Sequence, residues 1–121
     1  MTDGGGVFFA LTSCRDEERV EEFLTWYAEV QFRNALAVDG VDEATLYRSM
    51  EPGGPGFLAI YSLAGDAADT AARLRPAIEE RHAAGDLTEL IEIRFAGAFK
   101  VENRMTSSLS GPPVSDEVDG S

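Results

Sequence analysis

Two short segments are apolar on both of their alternating faces, and this restricts the possible folds more than any other feature. Residues 7–14 (VFFALTSC) read as a strand with Val7, Phe9 and Leu11 on one side and Phe8, Ala10 and Thr12 on the other. Residues 57–63 (FLAIYSL) repeat the property. Strands of this kind are stable only in a sheet that is covered on both faces. The chain offers little to cover them with, because only two stretches carry a helical period.

The first helical stretch is residues 20–38. Wound at 3.6 residues per turn, it places Val20, Phe23, Leu24, Val30, Ala35 and Val38 on one face, and Glu22, Glu29 and Arg33 opposite. Tyr27, Gln31 and Asn34 fall inside the apolar arc at i, i+4 and i+7. A buried amide left unpaired costs about 1–3 kcal/mol, so three polar groups there either bond one another and the sheet or line a polar spot in a cavity. Asp16, Glu17 and Glu18 suit the helix entry, and Asp39-Gly40 ends it.

The second helical stretch opens at Asp66, a suitable N-cap, and carries Ala67, Ala71, Leu74, Ile78 and His82 as its stripe. Pro76 is expected to kink or break it, and Gly85 to close it. Residues 41–50 and 90–102 read as the remaining strands, the last with Ile91, Ile93, Phe95, Phe99 and Val101 on one face. Residues 51–56 (EPGGPG) form a hairpin loop by composition. The order βαββαβ predicts a ferredoxin-like α+β fold, a four-stranded antiparallel sheet with two helices on one face. The other face is then an association surface, most simply covered by a second copy packed sheet to sheet.

The 121 residues suit one domain, expected over residues 7–104, behind a flexible N-terminus at 1–6. Residues 105–121, rich in Ser, Gly, Pro and acid, read as a disordered tail. A net charge of −12 disfavours nucleic acid and anionic membranes, and no run approaches the roughly 20 apolar residues of a membrane span. The N-terminus lacks the basic region of a signal peptide, and the single cysteine, Cys14, allows no intrachain disulfide. Both fit a cytoplasmic protein. One His and one Cys make no soft-metal site, and no glycine run joins a strand to a helix as a phosphate cradle does: residues 4–6 precede their strand and residues 53–56 join two strands. No metal or cofactor is therefore expected.

The segments FLTWYAEVQ (residues 23–31) and ALAVDGV (residues 35–41) resemble the first helix of EthD-type proteins in the dimeric α+β barrel superfamily. In that family a Trp-Tyr pair precedes an acidic residue, a hydrophobe and a histidine, and a Pro-Gly turn leads to the next strand. Residues 57–61 (FLAIY) resemble its third strand. Here Gln31 stands in place of the histidine and Asp39 in place of the proline. The resemblance implies the ferredoxin-like fold, a homodimer and a ligand cavity. Members of the wider superfamily include cofactor-free monooxygenases, polyketide cyclases and muconolactone-type isomerases. An acid/base role does not carry over to Gln31, because an amide does not titrate.

Two function classes follow. The first is a cofactor-independent enzyme acting on an apolar, aromatic or polyketide-like metabolite by cyclisation, isomerisation or oxygenation. Tyr27 and Gln31 would hold an enolate-like oxygen and His82 would act as base. Asn34, Trp26, Tyr61 and Arg94 are the candidate substrate contacts, with Arg94 able to meet a carboxylate. The second class is a binding or sensing protein that kept the cavity and lost the histidine. Each residue also has a structural reading: core aromatics for Tyr27 and Trp26, helix-to-sheet ties for Gln31 and Asn34, a satisfied imidazole for His82.

Overall fold

The computed structural model describes residues 5–53 and 56–107. Strand β1 (Gly6–Cys14) leads into a single 3-10 turn, Glu17–Arg19, which Asp16 caps by accepting a hydrogen bond from the Glu18 amide at 3.0 Å. Helix α1 covers residues 20–36 in three parts: Val20–Trp26 and Phe32–Leu36 are α-helical, and Tyr27–Gln31 between them is a π-helical turn. Strands β2 (Val41–Arg48) and β3 (Phe57–Leu63) follow, then helix α2 (Ala67–Arg81), a second π-helical turn at His82–Asp86, and β4 (Ile91–Lys100). The sheet runs β2-β3-β1-β4 with every neighbouring pair antiparallel.

The π turn in α1 has a packing reason. Phe23, Tyr27, Gln31 and Ala35 are all buried, and each is four residues from the next. In an α-helix four residues overshoot one turn by about 40°, so three such steps would carry Ala35 about 120° away from Phe23. The wider turn absorbs that drift and keeps the four on the sheet side. It also moves Asn34, expected inside the apolar arc, to the flank of the buried face, where it is half-buried.

Helix α2 continues through Pro76, so the break expected as one outcome there does not occur. Pro76 and Ala72, whose carbonyl loses its amide partner, are both exposed, so that carbonyl is not left unpaired in the core. Asp66 caps the start by accepting from the amides of Ala68 and Asp69 at 3.0 and 3.2 Å. Gly85, at φ 109°, closes the turn behind the helix in a conformation that L side chains rarely adopt.

The core lies between the helices and one face of the sheet. Phe57, Ala59, Tyr61 and Leu63 of β3 meet Phe23, Tyr27 and Ala35 of α1 and Ala67 and Leu74 of α2. Strand β4 departs from simple alternation. Leu11 pairs with Phe95 but Thr12 pairs with Ile93, so Arg94 is an extra residue at a bulge. Ile91 and Ile93 therefore share the helix side with Thr12 and Cys14, while Phe95 and Phe99 share the open side with Leu11 and Val7. The single face expected for all five apolar residues of this strand is split in two.

On the open face Phe9 stacks on Phe99 at 5.1 Å and meets Phe95 at 5.4 Å. Gly97 pairs with Phe9, and a Cβ there would reach the Phe95 ring at 3.4 Å. Phe95 and Phe99 each remain 50% exposed. Residues 101–107 continue beyond β4 without regular structure and are exposed. The rest of the expected tail, residues 108–121, lies outside the described residues, as do residues 1–4.

Candidate functional site

A cavity of about 130 Å³ lies between the helices and the sheet. Its floor is Phe8, Ala10 and Thr12 of β1, Tyr61 of β3, and Ile91, Ile93 and Ala96 of β4. Tyr27 and Gln31 of α1 form one wall; Leu74, Arg75, Ile78, Glu79 and His82, on and just past α2, form the other. The inward polar residues of the first helix predict a cavity between that helix and the sheet; in the structure α2 supplies the larger share of its walls. Each contribution follows from a local pattern. The odd positions of β3 face the helices, which directs Tyr61 inward, and the even positions of β1 do the same for Phe8, Ala10 and Thr12. His82 extends the α2 stripe by one step of four beyond Ile78.

Three polar side chains meet on the wall of this cavity. Gln31 Nε2 donates to the Tyr61 hydroxyl at 3.1 Å, and Gln31 Oε1 lies 2.9 Å from His82 Nε2. With the amide oriented this way, the imidazole carries its hydrogen on Nε2 and leaves Nδ1 as a lone pair. The Tyr61 hydroxyl accepts from Gln31 and keeps its own hydrogen to donate. Beside it the Tyr27 hydroxyl and Thr12 Oγ1, both buried, share a hydrogen bond at 3.1 Å.

Burial sets the protonation states. It lowers the pKa of His82 below the ordinary imidazole value, against the charges of Asp86 and Glu79, which favour the cation. The ring is therefore neutral at pH 7. Burial raises the Tyr61 hydroxyl far above the ordinary phenol value, with the Gln31 bond acting the other way, and raises Tyr27 against its bond to Thr12. Both phenols stay protonated, able to donate a hydrogen bond but not to act as anions.

A second cluster holds the His82 turn in place. Trp26 Nε1 donates to the Asp86 carbonyl at 2.6 Å, and Asn34 Nδ2 donates to Asp86 Oδ2 at 2.9 Å. Arg81 reaches the same carboxylate oxygen at 2.9 Å. The Asn34 bond and then Arg81 hold the Asp86 carboxyl below the usual carboxylate range, against the opposing effect of burial. Helix α1 thus fixes both ends of the His82–Asp86 turn.

Of the residues singled out from sequence, Tyr27, Gln31, Tyr61 and His82 come together on the cavity. Asn34 and Trp26 are not among its lining residues, because their donors are engaged by Asp86. Arg94, lifted onto the bulge, donates from Nε to Ser13 Oγ at 3.1 Å and lies 3.8 Å from Glu92, also away from the lining. Sequence reasoning missed Phe8, Thr12, Arg75 and Glu79. The parity of β1 contained the first two. Arg75 and Glu79 flank the α2 stripe one position after Leu74 and Ile78 and read as solvated charges until the sheet is in place. Among the described residues no three His, Cys, Asp or Glu side chains gather to hold a metal ion.

No family model matches the chain, and no curated sequence is similar to it. Among solved structures it is similar to HapK from Hahella chejuensis, with a TM-score of 0.59 at 13% identity, covering 85% of this chain and 98% of that one. It is also similar to a DABB family protein of ferredoxin-like fold from Mesorhizobium loti, with a TM-score of 0.54 at 14% identity, covering 85% and 100%. The fold is ferredoxin-like. A third likeness is to a dimeric ferredoxin-like protein of unknown function from Thermobifida fusca, with a TM-score of 0.51 at 16% identity, covering 84% and 92%. At these identities the likenesses establish the ferredoxin-like architecture alone. The narrower EthD-type resemblance rests on the Trp26-Tyr27 helix. Gln31 is itself 2.9 Å from the imidazole of His82, which arrives from just past the end of α2.

Proposed function

We propose that the chain is a cofactor-independent enzyme acting on an apolar, aromatic or polyketide-like small molecule by proton transfer next to a carbonyl, the step shared by cyclisation and isomerisation. The observation that carries this reading is the His82–Gln31–Tyr61 array on an apolar cavity wall. Neutral His82 takes a proton from the substrate carbon through Nδ1, and the imidazolium formed is held by the Gln31 carbonyl and the nearby carboxylate of Asp86. Tyr61 donates its hydroxyl hydrogen to the enolate oxygen, and Gln31 fixes the direction of that donation. Oxygenation would begin from the same enolate.

Acetophenone in deuterated buffer tests the reading. Exchange of its methyl hydrogens should exceed the buffer rate in wild-type protein and fall to it in His82→Gln. Exchange at the buffer rate in wild type, with a small molecule retained in native mass spectrometry, would instead favour a binding or sensing protein.

The same proposal includes a homodimer. Its support is the open sheet face, where Val7, Phe9, Leu11, Leu58, Ile60, Phe95 and Phe99 stand together, and the dimeric state named for the Thermobifida fusca neighbour. No helix among the described residues is long and apolar enough to cross a membrane. The lone cysteine and the acidic charge support placement in the cytoplasm, with nucleic acid and membranes outside its range of partners.

A further inference from the structure

Among the described residues, Arg75 is the one cation in the cavity lining. Its guanidinium lies over the Phe8 ring at 5.1 Å from the centroid, which holds it beside the apolar floor. Among the described residues it makes no ion pair and no hydrogen bond, whereas Arg19 and Arg81 both reach carboxylates. Glu79, one turn further along α2, also lines the cavity but does not pair with Arg75. Arg75 therefore presents donors that no carboxylate of the described residues satisfies, at the edge of a largely apolar space.

The other end of the cavity wall is the His82–Gln31–Tyr61 array. His82 lies seven positions beyond Arg75 on one continuous helical path, about 10 Å along the axis. The space between them, about 130 Å³, is comparable to a void of about 150 Å³ that accepts one benzene ring. We infer that the ligand is a single-ring aromatic acid, its carboxylate held by Arg75 and its ring oxygen or carbonyl directed to Tyr61 and His82. The inference rests on the proposed cavity site and narrows its substrate class. Guanidinium is suited to the task because its planar donors meet a carboxylate two at a time. The net charge of −12 opposes the approach of such an anion, so recognition depends on the local contact instead of the long-range field.

The chain has one histidine, so the His82 ring protons report on the cavity without assignment ambiguity. Benzoate and its neutral isostere benzamide are titrated at pH 7.5 into wild type, Arg75→Gln and Glu79→Gln, following the His82 resonances by NMR. Both probes should shift them, benzoate about tenfold more tightly, the ratio expected of one charge-assisted contact. That preference should fall below about twofold in Arg75→Gln, while Glu79→Gln should raise benzoate affinity by removing a nearby like charge. Equal affinities in wild type, or a benzoate preference that survives Arg75→Gln, overturn the inference and leave the cavity site standing. If neither probe moves the His82 resonances at millimolar concentration, the cavity site itself is wrong and the inference falls with it.

Discussion

Replacing Gln31 by Leu and Tyr61 by Phe, singly and together, measures whether the two act as one unit. Gln31 is 8% exposed and Tyr61 2%, so neither has ready access to bulk water. Their bond is a neutral one of 3.1 Å, which places its net contribution at about 1 kcal/mol. Gln31→Leu removes this bond and the contact with His82, leaving both cavity-lining partners without it. The expected loss is about 2 kcal/mol, towards the middle of the range for unsatisfied buried groups. Tyr61→Phe leaves the Gln31 amide short of one partner and should lose about 1 kcal/mol.

In the double variant that shared loss is counted once. The combined destabilisation should therefore fall short of the sum by about 1 kcal/mol. Urea unfolding at pH 7.5 supplies the four stabilities, with protomer concentration held fixed because a dimer makes the midpoint concentration-dependent. Additivity to within about 0.3 kcal/mol would refute the shared bond, and with it the claim that Gln31 directs the Tyr61 hydroxyl.

Four further outcomes are expected. Because burial depresses the His82 pKa, the unfolded chain takes up the proton first, so stability contributed by neutral His82 is complete above about pH 6.5 and lost as pH falls below it. The wild-type minus His82→Asn difference in stability should show that slope, and a difference that rises on acidification would reverse the assignment. Leu74→Ala, at a position 1% exposed, should lose about 2–5 kcal/mol and enlarge the cavity, measured by thermal unfolding and by increased uptake of benzene. Light scattering should give twice the 13.1 kDa chain mass for wild type, and Phe99→Asp should yield a monomer of lower stability; a wild-type monomer ends the dimer reading. Removing residues 105–121 should leave the melting temperature within about 2 °C, since their composition offers little to bury; a loss of several degrees would extend the domain boundary.

The element order, the antiparallel sheet and the two-faced strands were legible in the sequence because hydrophobic period is a local property. Strand β3 is the clearest instance: its alternation alone places Tyr61 opposite Leu58 and Ile60. Asp66 and Gly85 were equally readable, since a cap and a left-handed residue depend only on their nearest neighbours. The bulge at Arg94 was not readable. A period of two carries no sign of an inserted residue, so it places Phe95 and Ile93 on one face, and only the register with β1 separates them. The π turn in α1 escaped for a similar reason, because a fixed 3.6-residue wheel puts both Asn34 and Ala35 inside the apolar arc, whereas only Ala35 is buried. Pairing across long separations decided the site. Gln31 and His82 are 51 residues apart, and Asn34 and Asp86 are 52 apart. The sequence of α1 supplied two amides facing inward; only the packing of α2 against it determined that one would bind an imidazole and the other a carboxylate.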